Sequence, residues 1–132
     1  MAAVTTAVLV DTHFILWLRV TPQTLTPGER NVLDRAPVRH ISTVSLWEIA
    51  ILLGRGRIPG DDGLLEIPEG FDLLPIRTDH CRAVSRLPWH HRDPFDRMLV
   101  AQAQSEQVPL LTRDAALTAY QDQAMILRYP DA

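Results

Sequence analysis

The stretch that most constrains the fold of this chain covers residues 90–117, HHRDPFDRMLVAQAQSEQVPLLTRDAAL. Asp93-Pro94 predicts a helix start, because Asp can cap the free N–H groups of a first turn and Pro fits the first helical position. An apolar face at helical spacing follows, and residues 108–112 then form an apolar run of strand length. Asp114 comes two residues after that run. The stretch therefore predicts a helix and a strand that each carry an acid at one end.

The same alternation of strand-length runs and helical segments continues through the rest of the chain. Strands are predicted at residues 4–10, 40–43, 71–76, 108–112 and 124–128. Helices are predicted at residues 12–18, 27–36, 44–53, 63–67, 78–86 (capped by Thr78 or Asp79), from 94 onward and at 115–120. Because residues 44–53 are apolar almost all round, that helix is expected to be largely buried. Alternation of this kind predicts an α/β sandwich with a mostly parallel sheet, and the length predicts a single domain over residues 1–132.

Composition narrows the classes of function. All 13 basic residues are Arg, so every mechanism that needs a lysine is excluded, including the P-loop, Schiff-base chemistry and the receiver-domain phosphorelay site. The net charge of −3 argues against a protein that coats nucleic acid, but not against an enzyme that touches a few phosphates. A single Cys81 permits no disulfide within the chain and no cysteine-based zinc site, so a cytoplasmic location is expected. No apolar run reaches the roughly 20 residues of a membrane span, and the N-terminus does not have the pattern of a signal peptide.

Four of the 16 acids fall in apolar or strand-end surroundings, namely Asp11, Glu48, Asp96 and Asp114. Each has a purely structural interpretation. Asp11 and Asp114 could cap the helices that follow their strands, Glu48 could complete a Ser-x-x-Glu capping box with Ser45, and Asp96 could be a first-turn acid favoured by the helix dipole.

Taken together, the four acids favour a metal site. Carboxylates gathered in one pocket repel one another unless a cation neutralises them, and oxygen ligands select Mg²⁺ or Mn²⁺ over zinc. The five histidines lack zinc-binding spacing and are interpreted as surface or polar packing residues. Metal-assisted hydrolysis of a phosphodiester is the chemistry that such a cluster serves. Hydroxyl and guanidinium groups that could orient the phosphate lie within three residues of an acid: Thr12, Ser45, Thr112, Arg97 and Arg113.

Four fragments of the chain carry a resemblance to a known family. They are VLVDTHFILWL (residues 8–18), ISTVSLWEIAIL (41–52), HRDPFDRMLVAQA (91–103) and PLLTRDAAL (109–117). In this order they resemble PIN-domain ribonucleases of the VapC toxin type. The resemblance implies a PIN-like three-layer α/β/α sandwich whose acids are held here by Asp11, Glu48, Asp96 and Asp114. It further implies cleavage of RNA with Mg²⁺ or Mn²⁺, a homodimer, and inhibition by a VapB-type antitoxin.

Three points stay open on the sequence alone. Asp93 and Asp96 compete for the third acid position; we assign the cap to Asp93, which Pro94 follows directly, and the metal to Asp96. The antitoxin is expected to offer a basic residue to the carboxylates beside an apolar segment, for which the candidate groove walls are Trp17, Trp47, Leu52 and Leu53. A catalytically silent PIN domain that acts as a binding partner, or another metal-dependent phosphohydrolase of α/β fold, is the alternative function.

Overall fold

The protein folds around one parallel sheet. The computed structural model describes residues 7–131, so residues 4–6 of the predicted first strand lie outside the described part. Five strands run in the spatial order β3-β2-β1-β4-β5, and every neighbouring pair is parallel. The strands are β1 (Val8–Val10), β2 (Arg39–Ser42), β3 (Asp72–Leu74), β4 (Leu110–Leu111) and β5 (Ile126–Leu127). Each coincides with a predicted strand, although most are shorter.

Helices connect the strands. They are α1 (Thr12–Val20), α2 (Pro27–Arg35), α3 (Thr43–Gly54), α4 (Thr78–Ser85) and α5 (Pro94–Glu106), with 3-10 helices at Pro22–Thr24, Asp62–Leu65 and Ala115–Tyr120. Two of the predicted starts are confirmed: a capping box between Thr26 and Glu29 opens α2, and Asp93 caps α5. None of the helices in residues 7–131 is long and apolar enough to cross a membrane.

The sheet buries both of its faces. Along β1, Val8 and Val10 point into one core, while Leu9 points into the core on the opposite side. In β4, Leu110 joins the core of Leu9 and Leu111 joins the other. Helix α5 covers the first face, and α1 and α2 cover the second. The predicted α/β/α sandwich is therefore confirmed, and the sheet in the described residues is wholly parallel.

Helix α3 differs from its prediction. It buries only Val44, Ser45 and Ile49, and the indole of Trp47 is 61% exposed. The helix contacts α1 and α5 at the side of the molecule, so part of its apolar surface has no cover among the described residues. The prediction of a largely buried helix is wrong, because an all-round apolar sequence does not specify how many neighbours the helix has.

The start of α4 also differs from its prediction. Neither Thr78 nor Asp79 caps it; the helix begins after Arg77, whose backbone N–H donates to Nδ1 of His80 at 3.0 Å. His80 is fully buried between α4 and α5. A buried imidazole here replaces the predicted side-chain cap, and this role of His80 agrees with its interpretation as a polar packing residue.

Candidate metal centre

Asp11 and Asp114 meet at the carboxyl ends of two neighbouring strands. β1 pairs with β4 in the register Val10 to Leu111, and the backbone N–H of Asp11 donates to the Leu111 carbonyl at 3.1 Å. Open parallel sheets bind ligands at this edge. The local order strand, acid, helix therefore places both carboxylates where the sequence predicted them.

The hydroxyl of Thr112 joins these two acids. It donates to Oδ2 of Asp11 at 2.5 Å and accepts from the backbone N–H of Asp114 at 3.0 Å. Thr112 is completely buried, so its side chain fixes the acids and does not reach a substrate.

Both acids cap helices, and the cap uses one oxygen of each. Oδ1 of Asp11 accepts from the His13 backbone N–H at 3.0 Å, and Oδ1 of Asp114 accepts from that of Ala116 at 2.9 Å. The capping role and the predicted metal role are compatible, because in each case Oδ2 belongs to the site.

Glu48 reaches the same region through Thr12. The Thr12 hydroxyl lies 2.7 Å from Oε1 of Glu48 and 2.9 Å from Oγ of Ser45, and it donates to the carboxylate. The alternative Ser45–Glu48 capping box does not form, since α3 begins two residues earlier with Ser42 as its cap. Thr12 and Ser45 are buried and hold Glu48 beside the strand ends.

The structure decides one of the two roles for which Asp93 and Asp96 compete, the helix cap, and the metal role of Asp96 stays a prediction. Oδ1 of Asp93 accepts from the backbone N–H groups of Phe95 at 2.8 Å and Asp96 at 3.3 Å, so the predicted cap is confirmed. Asp96 lies one turn further into α5, with its side chain toward Asp11, whose charge acts on it.

His91 lies at hydrogen-bond distance from one of the predicted acids and close to a second. Its Nε2 lies 3.0 Å from Oδ2 of Asp96 and 4.0 Å from Oδ2 of Asp114. Sequence reasoning assigned His91 to surface or polar packing because it lacks zinc-ligand spacing. Its position two residues before the Asp93 cap, where α5 approaches the sheet edge, was the signal that could have identified it.

Burial, and for Asp96 also the charge of neighbouring acids, disfavours the ionised form of Asp11 and Asp96 and raises the pKa of both. Burial raises the pKa of Asp11 above its usual value, more than the Thr112 hydrogen bond lowers it. Burial, with the negative charges of Asp93 and Asp11, raises the pKa of Asp96 to about 6, although the hydrogen bond from His91 opposes this. A cation between these groups would relieve both effects. The donors of the four predicted acids are all oxygen, so this set fits Mg²⁺ or Mn²⁺.

Both arginines predicted to orient phosphate donate hydrogen bonds inside the fold. Arg97 is buried, and its guanidinium donates to the carbonyls of Val84, Leu87 and Pro88 and to the Tyr120 hydroxyl. It therefore fastens the end of α4 to α5. The prediction that Arg97 orients substrate is wrong, because its donors are used inside the fold.

Arg113 is held in a second structural contact. It forms a two-point ion pair with Glu29 at 2.6 and 2.7 Å, donates to the Thr24 carbonyl and lies over the Trp17 ring at 4.1 Å. These bonds tie the loop after β4 to α2. They commit the Nε and Nη2 donors of Arg113 to the fold, and its role in orienting substrate stays a prediction.

A separate apolar groove lies beside the acids. It has a volume of about 290 Å³ between α3, α4 and α5. Of the four predicted walls, only Trp47 lines it; Trp17 and Leu53 pack against the core instead. The lining residues are Val44, Trp47, Ile76, Val84, Trp89, Arg92, Pro94, Phe95, Arg97 and Met98.

The fold and this acidic edge define a class: parallel α/β domains whose carboxylates gather at the ends of the central strands. Comparison with family models gives the particular family, since the model of the PIN domain matches residues 8–122. The chain belongs to the PIN domain family. Comparison with curated proteins finds no match.

Solved structures share the fold at low sequence identity. The chain is similar to VapBC2 from Rickettsia felis bound to a promoter DNA fragment, with a TM-score of 0.71, 11% identity and coverage of 92% of this chain and 98% of that one. It is also similar to VapBC-5 from Mycobacterium tuberculosis, a member of the VapBC family of toxin–antitoxin systems, with a TM-score of 0.61, 23% identity and coverage of 93% and 98%. It is similar as well to FitAcB from Neisseria gonorrhoeae, with a TM-score of 0.60, 17% identity and coverage of 93% of this chain and 97% of that one.

Proposed function

We propose that this PIN domain is the endoribonuclease toxin of a VapBC-type toxin–antitoxin system. The observation that carries the proposal is the position of Asp11 and Asp114 after two neighbouring central strands, where Thr112 bonds to both, while His91 lies within 4.0 Å of Asp114 and of Asp96. Membership of the PIN family and the likeness to VapBC and FitAcB structures support it.

In the proposed mechanism Asp11, Glu48, Asp96 and Asp114 hold Mg²⁺ or Mn²⁺. The cation would lower the pKa of water, so that hydroxide is available as the nucleophile at neutral pH, and would offset the negative charge that develops on the leaving oxygen. The protein contributes rigid placement. Thr112 fixes Asp11, Thr12 fixes Glu48, and the first turn of α5 carries Asp96.

The proposed partner is a VapB-type antitoxin. An apolar segment of it would fill the groove beside Trp47 and Phe95, and a neighbouring Arg or Lys would meet the carboxylates. A homodimer belongs to the same proposal. Co-expression with the adjacent reading frame should give a stable complex, and isolation of the free chain alone would contradict this part.

Cleavage of single-stranded RNA by the purified chain, with and without EDTA, tests the proposal. Asp96→Asn should lower the cleavage rate by a factor on the order of 10³, since a charge that holds the cation is lost. Glu106→Gln is the matched control, because it removes a carboxylate bonded to a histidine far along the same helix. Asp93→Ala is a second control and should retain cleavage. Equal rates for Asp96→Asn and the unsubstituted chain, or cleavage that survives EDTA, would reject the proposed activity.

A further inference from the structure

His91 holds a position between two acids that come from different parts of the chain. Asp96 belongs to the first turn of α5, and Asp114 follows β4. The Nε2 atom of His91 lies against Oδ2 of both, at 3.0 and 4.0 Å. One oxygen each of Asp93 and Asp96 and one ring nitrogen of His91 lie within 4.8 Å of one another. The imidazole therefore lies within 4.0 Å of two of the proposed metal ligands, Asp96 and Asp114, and beside the helix cap Asp93.

The backbone behind His91 is fixed. Its N–H donates to the Tyr120 hydroxyl at 3.0 Å, and this fully buried hydroxyl donates in turn to the Pro88 carbonyl at 2.9 Å. Arg97 donates to the same hydroxyl at 3.1 Å. A buried network therefore anchors the segment that carries His91. The imidazole ring projects from this fixed backbone toward Asp96 and Asp114.

His80 is the second histidine that bonds to a carboxylate of α5, and its surroundings include an arginine. His80 contacts Oε2 of Glu106 at 2.8 Å, and the guanidinium of Arg77 donates to that same oxygen. In residues 7–131 the salt bridges of Asp96 and Asp114 include no arginine; His91 is the partner of both. Among these residues, Asp96 and Asp114 have no counterpart of the guanidinium that Arg77 gives to Glu106.

We infer that His91 is a direct nitrogen ligand of the divalent cation held by Asp96 and Asp114, and that it makes this site prefer Mn²⁺ to Mg²⁺. The inference rests on the proposed function. Mg²⁺ is a hard ion that takes oxygen ligands, whereas imidazole nitrogen suits the softer transition ions better. A site with one imidazole among its carboxylates therefore discriminates between two ions that an all-oxygen site would bind more evenly.

Metal binding, not cleavage, tests the inference. The metal-free chain is titrated with Mn²⁺ and, separately, with Mg²⁺ by calorimetry, and bound Mn²⁺ is examined by pulsed electron paramagnetic resonance for coupling to a ligand nitrogen. The unsubstituted chain should show this coupling. His91→Ala should lose it and should bind Mn²⁺ about tenfold more weakly, with a change of less than about threefold for Mg²⁺.

The controls separate this inference from the proposed function. His91→Ala keeps its bond to Tyr120, because that bond uses the backbone. His90→Ala removes the exposed neighbouring imidazole and should leave the nitrogen coupling and both affinities unchanged. If Asp96→Asn abolishes Mn²⁺ binding while His91→Ala changes neither the coupling nor the affinity, the inference is overturned and the metal centre stands. If the unsubstituted chain binds neither ion, the proposed metal-dependent function fails with it.

Discussion

Two groups in this molecule have the same composition and opposite electrostatics. His91 lies with Asp93 and Asp96 near the sheet edge, and His80 lies with Asp79 and Glu106 where α4 meets α5. Each contains one histidine and two carboxylates. In the first group the pKa of Asp96 is raised to about 6, chiefly by burial. In the second the pKa of Glu106 is lowered, chiefly by the hydrogen bond from His80.

Arg77 accounts for much of the difference. Its guanidinium donates to Glu106 and lies 3.5 Å from Asp79, so the second group carries its own counter-charge. The first group has an imidazole and a negatively charged neighbour, Asp11, but no guanidinium among the described residues. The comparison teaches that a cluster of histidine and carboxylates is a candidate for metal binding only where the fold has not already supplied a cation.

The largest effect is expected at Glu29, the most deeply buried of the carboxylates paired with arginine. Glu29→Gln should lower the free energy of unfolding by about 3 kcal/mol, because the fully buried carboxylate of Glu29 loses its ion pair with Arg113. Urea unfolding at pH 7 measures this. Asp34→Asn, at an exposed position on the same helix, should change the free energy by less than about 0.5 kcal/mol. Equal losses in both variants would show that the Glu29–Arg113 pair contributes nothing special.

A gain in stability is expected at Asp96. Its pKa in the folded protein, about 6, exceeds the usual 3.8, so the folded state binds a proton that the unfolded state releases. The charge of Asp96 therefore costs stability above pH 6, and the cost disappears as the pH falls from 6 to below 4. In metal-free protein at pH 7, Asp96→Asn should raise the free energy of unfolding by about 2 kcal/mol and by almost nothing at pH 4. Destabilisation at pH 7 would contradict the raised pKa.

A smaller effect of opposite sign is expected at Glu106. Its lowered pKa means that its charge stabilises the fold above the usual pKa of 4.5, and that this contribution is lost as the pH falls through the folded value. Glu106→Gln should lower the free energy of unfolding by about 1 kcal/mol at pH 7, because the carboxylate is partly exposed. Denaturant unfolding at pH 7 and at pH 3 provides the measurement. A gain in stability like that of Asp96→Asn would remove the distinction between the two groups.

The sequence predicted the backbone plan and the acids better than it predicted the basic residues. Strand-length runs that each end at an acid specify local structure, and a parallel sheet then brings Asp11 and Asp114 to one edge without further information. The direction of a long side chain depends on partners far away in sequence. Arg97 and Arg113 each adjoin a predicted acid in sequence. In the structure, Arg97 donates to carbonyls of residues 84–88 and Arg113 donates to the carboxylate of Glu29.

The sequence also predicted some helix starts better than others. Ser45-x-x-Glu48 has the pattern of a capping box, but Ser42 caps the helix first and leaves both residues inside it. The cap at Asp93 was predictable because Pro94 fixes the start of α5. The position of His91 just before that cap was a usable signal, but its contact with Asp114 depends on the loop after β4 and on the hydroxyl of Tyr120.

The bond between Thr112 and Asp11 has a consequence for the order in which the protein acquires its activity. The two residues are 101 positions apart, and β1 gains its neighbour β4 only when both strands exist. During synthesis Asp11 leaves the ribosome long before Thr112 and Asp114. A growing chain that ends before Thr112 consequently has no complete acidic edge. Under the proposed function, the chain cannot cleave RNA near the ribosome that is making it until the second half of its site has emerged.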